Sequence, residues 1–177
     1  MRFRHILWIW AAILALTIAQ SGCQKKEEQQ HTEDEAQKET EAHHAHTAPH
    51  GGTLVVLGEE FAHLEFVLDA GTAKLTAYVL DGEAENPVRL AQNTIELKGH
   101  RQDTGADFTL NLNGVANVLT GETEGDTSEF VGQSEALKGA AAFQAELVSI
   151  TVKGQTFTDI DFAFPEGNED EGAHSGH

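Results

Sequence analysis

From Thr53 onward the chain breaks into short runs in which apolar and polar residues alternate, each run ending at Gly, Asp or Asn. A period of two places successive side chains on opposite faces of a strand, and no helix accommodates it. Over Phe61 to Leu68 the alternation puts Leu64, Phe66 and Leu68 on one face and His63, Glu65 and Val67 on the other. Over Lys74 to Leu80 it opposes Leu75, Ala77 and Val79 to Lys74, Thr76 and Tyr78. The closing hairpin pairs Phe143 to Val152 with Thr156 to Phe164 across Lys153-Gly154-Gln155. Val148, Ile150 and Val152 are expected on one face of its first strand, and Ile160, Phe162 and Phe164 on one face of its second. Thr53 to Leu57, Thr94 to Leu97, Phe108 to Leu112 and Glu129 to Val131 are further strand candidates, with short segments at Val88 to Leu90 and Val115 to Leu119. Asn113-Gly114 reads as a turn. Ser134 to Leu137 reads as one helical turn, capped by Ser134 and ended by Gly139. Some seven to nine short strands without a long helix predict an all-β fold. The expected architecture is an antiparallel β-sandwich of immunoglobulin-like outline, with a small barrel as the alternative.

Four regions follow: residues 1–22, 23–49, 50–166 and 167–177. In the first, Arg2 and Arg4 precede an apolar run from Ile6 to Ala19. That run is shorter than the ~20 residues a membrane-spanning helix needs and has the length of a signal-peptide core. Ser21, Gly22 and Cys23 follow it. This arrangement resembles the lipobox of bacterial lipoproteins, although Gln20 stands where that family usually carries Leu. The resemblance implies cleavage before Cys23, lipidation of Cys23, and a mature chain held in a membrane of the cell envelope by its acyl chains. Cys23 is the only cysteine, so no intramolecular disulfide is available.

Gln24 to Pro49 carries almost no large apolar residue and reads as a disordered tether. The acidic tail at 167–177 reads the same way. The formal charge of −18, from 29 acidic against 11 basic side chains, disfavours nucleic acid and anionic lipid as partners. It favours cations and basic protein surfaces.

His43, His44, His46 and His50 fall within HHAHTAPHGG, the one stretch that suggests a chemistry. Neutral imidazole binds Cu, Zn and Ni through a ring nitrogen, and a flexible backbone could gather several rings, with Glu39 or Glu41 adding oxygen. A site on the tether would leave the stability of the β domain nearly unchanged by metal. His63 and Glu65, two apart on one strand face, could chelate with His50 or a neighbouring strand, or could simply form a solvent face. His174 and His177 sit in the acidic tail, where a solvated tail is the simpler reading. His100 is expected in a loop. The run of Asp159 and Asp161 reads as an exposed strand face, and no nucleophile, acid–base or phosphate-binding motif accompanies it, so catalysis is not expected.

The PHGG before the first strand, LEFVLD in the second and YVLDG in the third resemble a group of uncharacterised exported bacterial proteins and lipoproteins. They are more distantly similar to regions associated with periplasmic metal-efflux adaptors. Two functions follow as expectations. One is a lipid-anchored extracytoplasmic accessory that holds or passes Cu or Zn, with a metal-efflux or envelope protein as partner. The other is a lipid-anchored module that binds another envelope component and has no metal role.

Overall fold

The computed structural model describes residues 46–168, all within the compact unit that begins at His43. The chain is all-β and antiparallel. Its strands are β1 (Thr53–Leu57), β2 (Ala62–Asp69), β3 (Lys74–Leu80), β4 (Thr94–Arg101), β5 (Ala106–Gly114), β6 (Glu129–Gln133), β7 (Phe143–Val152) and β8 (Gln155–Phe164). They form one continuous sheet in the order β1-β2-β3-β6-β5-β4-β7-β8. The facing halves expected of a sandwich are therefore halves of a single curled sheet, nearly closed into a barrel. Curling buries one face of every strand in one core without dividing the hydrogen-bond ladder.

The alternation read from the sequence supplies that core. Leu64 and Phe66 of β2, Leu75, Ala77 and Val79 of β3, and Ile95 and Leu97 of β4 are buried together. Phe66 stacks on Phe162 of β8 at 4.8 Å, bringing the second and eighth strands of the order face to face. The two edges of the sheet are stitched by Asn168. Its Oδ1 accepts from the Val56 backbone N–H at 2.8 Å, and its Nδ2 donates to the Val56 carbonyl at 3.2 Å. This amide satisfies a strand edge that would otherwise be open to pairing.

Some local expectations change. Asn113 and Gly114 lie within β5 and pair with Val131 and Phe130, and a side chain at 114 would meet the Glu124 carbonyl at 2.5 Å. Glycine serves close backbone approach there, not a turn. Val115 to Leu119 forms no strand and opens a loop. His100 lies in β4, exposed and paired with Asp107 at 2.6 Å. In the last hairpin, Leu147 points inward with Ile150 and Val152, while Val148 is only half-buried. The inward positions change parity midway along β7, and Asp159 opposite takes φ +54°. Ser134 does cap a single 3-10 turn, Glu135–Leu137, by accepting from the Ala136 N–H.

Candidate functional site

The site forms where residues 46–52 fold back over the outer face of β1, β2 and β3. Ala48-Pro49-His50-Gly51 makes a turn closed by the Gly51 N–H donating to the Ala48 carbonyl at 3.1 Å. Proline presets the backbone at the second position of such a turn. Gly51 adopts φ +72°, and a Cβ on Gly52 would lie 2.5 Å from the Phe66 carbonyl. The two glycines of PHGG thus let the segment turn and then lie against β2. Beneath it, Ala48 packs on Leu54, Leu80 and Ala84 as a small second core.

This cover buries side chains that the alternation assigned to the outer face. His63 and Glu65 are both 0% exposed. Glu65 is saturated by the covering segment. Its Oε1 accepts from the backbone N–H groups of His50 at 2.7 Å and Gly52 at 2.8 Å, and its Oε2 lies 2.7 Å from His50 Nδ1. The His50 ring stacks on Tyr78 at 3.8 Å and 13°. Burial, then the charges of Glu129 and Glu65, push the Tyr78 phenol above its usual range. Glu65 and His50 therefore do meet, as a hydrogen-bonded clasp whose carboxylate has no oxygen directed elsewhere.

His46 and His63 meet differently. Their ring centroids are 4.8 Å apart at an interplanar angle of 63°. His63 Nδ1 lies 3.1 Å from the Asp81 carbonyl. A carbonyl only accepts, so that nitrogen carries the proton, and Nε2 is left with an in-plane lone pair. His63 Nε2 is buried with no hydrogen-bond partner, and so is His46 Nε2. The His46 side chain is itself only 9% exposed. A buried polar atom without a hydrogen-bond partner is costly, so one on each of two rings in contact marks a place built for something else. Glu60 approaches from the β1–β2 turn, with Oε1 3.8 Å from His46 Nε2. Its backbone is held at φ +54°, and Gly82 packs so tightly that a Cβ there would be 2.4 Å from the Glu60 carbonyl.

Asp81 fixes the loop that supplies the His63 partner. Its carboxylate accepts from Asn86 Nδ2 at 2.8 Å and from the N–H groups of Glu85 and Asn86. The Asn86 side-chain hydrogen bond first, and these backbone donors with it, hold the carboxyl down to about 2. Fixing the far nitrogen of an imidazole on a carbonyl is how proteins orient a histidine whose other nitrogen binds metal.

Of the residues singled out in the sequence, Cys23, His43, His44, His174 and His177 lie outside the described residues. His46 and His50 belong to one segment but reach different partners, so they do not converge on a common point. Among the described residues no group of three or more His, Cys, Asp or Glu side chains is preassembled around an ion site. Two concavities lie elsewhere. One of about 720 Å³ runs over β4, β5, β7 and β8, where Lys98 pairs with Glu146 and His100 with Asp107. Glu60, Tyr78 and Asp81 were not singled out from the sequence. Tyr78 sits on the predicted polar face of its strand, while Glu60 and Asp81 are turn residues with no pattern to distinguish them. No protein-family model matches the chain, and neither the curated proteins nor the solved structures contain a match to it.

Proposed function

We propose that the protein is a lipid-anchored, extracytoplasmic metal-binding accessory that holds or passes copper or zinc. The observation that carries this reading is the pair of buried, partnerless Nε2 atoms of His46 and His63, one with its tautomer set by the Asp81 carbonyl. The signal-like residues 1–22, Cys23 and the net charge of −18 support an exported chain that attracts cations. The test is metal content, followed by calorimetric titration with Cu(II) and Zn(II), of the mature chain purified without an affinity tag. Binding of at least one ion well above the level of a generic acidic protein is expected. Binding of neither removes the reading. The anchor is tested separately: Cys23→Ala should abolish fatty-acid labelling and membrane retention, and labelling that persists rejects it.

A second reading, a module that binds another envelope protein, has one observation in its favour. Val118 and Leu119 are 92% and 93% exposed at the tip of the loop between β5 and β6. That loop is built rather than slack. Glu122 accepts from the Ser128 N–H at 2.9 Å, from Ser128 Oγ at 2.7 Å and from Thr120 Oγ1 at 2.6 Å. An ordered loop holding two large apolar side chains in water suits an interface. If the chain binds no metal, and Val118→Ser with Leu119→Ser abolishes cross-linking to an envelope protein, this reading replaces the first.

A further inference from the structure

We infer that His46 and His63 bind a single divalent ion at an angular, four-coordinate centre, with Glu60 as the third protein ligand, and that this ion pins the N-terminal segment to the barrel. The inference rests on the metal-binding reading above and specifies its site.

The ring separation selects the coordination. A metal–nitrogen bond of about 2.0–2.1 Å, added to roughly 1.1 Å from nitrogen to ring centre, sets each centroid about 3.2 Å from the ion. Two such rings stand about 5.2 Å apart at a tetrahedral angle, about 4.5 Å at a right angle and about 6.4 Å in a linear arrangement. The observed 4.8 Å falls between the first two. A linear two-coordinate monovalent ion would require the rings to separate. An angular divalent ion such as Zn(II) or Cu(II) needs only that the two nitrogens turn toward a common point.

The third ligand follows from charge and position. Two neutral imidazoles leave a divalent ion in a buried site uncompensated, and a carboxylate is the natural complement for nitrogen-bound Zn(II) or Cu(II). The Glu60 carboxylate lies 3.8 Å from His46 Nε2, outside hydrogen-bond length and close enough to close on an ion between them. Among the described residues no three such side chains are placed to hold an ion, so the proposed centre requires His46, His63 and Glu60 to draw together on binding. The fourth position falls to water, which keeps the centre exchangeable, as a holding or transfer site requires.

The ligands come from separate parts of the chain. His63 is in β2 and Glu60 in the turn before it, while His46 belongs to the segment lying over the sheet. An ion bridging them cross-links that segment to the barrel next to the His50–Glu65 clasp. Metal should then stabilise the fold, since a ligand bound only by the native state does so by mass action.

The experiment uses the full mature chain and titrates Zn(II), Cu(II) and Ag(I), the last as a stable probe for linear monovalent binding. Thermal unfolding is followed with and without each ion. One equivalent of Zn(II) or Cu(II) should bind and raise the unfolding temperature, with X-ray absorption reporting four nitrogen or oxygen neighbours. His46→Ala, which lies outside the sheet, should weaken binding at least 100-fold and remove the stabilisation. His63→Gln should do the same, Glu60→Gln should cost about tenfold, and His100→Ala should change nothing. Preferential binding of Ag(I), or an unchanged affinity in Glu60→Gln, overturns the proposed centre. Tight Zn(II) or Cu(II) binding that survives in both His46→Ala and His63→Gln overturns it too, while leaving a metal-binding protein whose site lies elsewhere. Absence of all binding removes both proposals.

Discussion

Two histidine contacts sit side by side on β2 under the same covering segment, and they differ in hydrogen-bond accounting. His50 and Glu65 leave nothing over: two backbone N–H groups and a ring nitrogen fill both carboxylate oxygens. His46 and His63 end on two buried nitrogens with no hydrogen-bond partner. Glu65 and His63 are both buried, so burial of the strand residue does not separate a structural contact from a ligand site. The count of donors against acceptors does. Glu65 offers only acceptors and is surrounded by donors. His63 spends its Nδ1 donor on the Asp81 carbonyl, and its Nε2 is left buried without a hydrogen-bond partner beside the His46 ring.

The sharpest way to break this contrast is to substitute the two β2 residues in turn, without metal. Glu65→Leu strands the His50 and Gly52 N–H groups under the covering segment, and each buried donor left without a partner costs about 1–3 kcal/mol. Urea unfolding at neutral pH should show that loss. His63→Leu should cost under about 1 kcal/mol by the same measurement, since it gives up one hydrogen bond but also removes a partnerless buried nitrogen. Equal losses at the two positions would mean that the pairs are alike and both structural.

A smaller effect separates the ring of His50 from its hydrogen bond. His50→Phe keeps a ring on Tyr78 but leaves Glu65 Oε2 without its partner, while Oε1 retains both backbone donors. A cost of about 1–3 kcal/mol is expected. His50→Ala should exceed it by about 0.5–1.5 kcal/mol if the stack contributes. Identical losses in the two variants would leave the stack with no energetic role.

The smallest effect concerns the loop that holds His63. The Asp81 carboxyl is held down to about 2, below the usual 3.8. A carboxyl depressed on folding contributes stability that is fully present above its unfolded value, near pH 4, and is lost as pH falls through about 2. The urea midpoint should therefore decline between about pH 4 and pH 2 in the parent, and decline less in Asp81→Asn. Parallel curves for the two proteins would remove Asp81 as the organiser of the loop.

Much of the fold was legible because it is written in local patterns. The β2 and β3 alternations placed Leu64, Phe66, Leu75, Ala77 and Val79 correctly in the core. Ser134 was recognisable as a cap from its neighbours alone. The failures share a cause. Gly114 looked like a turn because glycine has two uses, and only the carbonyl of Glu124 beside it shows which one applies. The histidines were read as a loose tether cluster because four fall within HHAHTAPHGG, although sequence proximity does not bring His46 and His50 to one point. With His46 docked on the barrel, the proposed centre predicts a raised unfolding temperature with metal, where a site on the tether predicts nearly none.

What the sequence determined by itself is most of the strands and the inward faces of β2 and β3, because a period of two acts within a few residues. What only the tertiary structure decided is the fate of the opposite face of β2. A strand with His63 and Glu65 outward reads the same whether that face meets water or another stretch of chain. The answer depends on residues 46–52 turning back across the sheet, 11 or more positions away from His63 in sequence. That cover turns two polar side chains from solvated to buried, and each must then find a partner or keep a place for one.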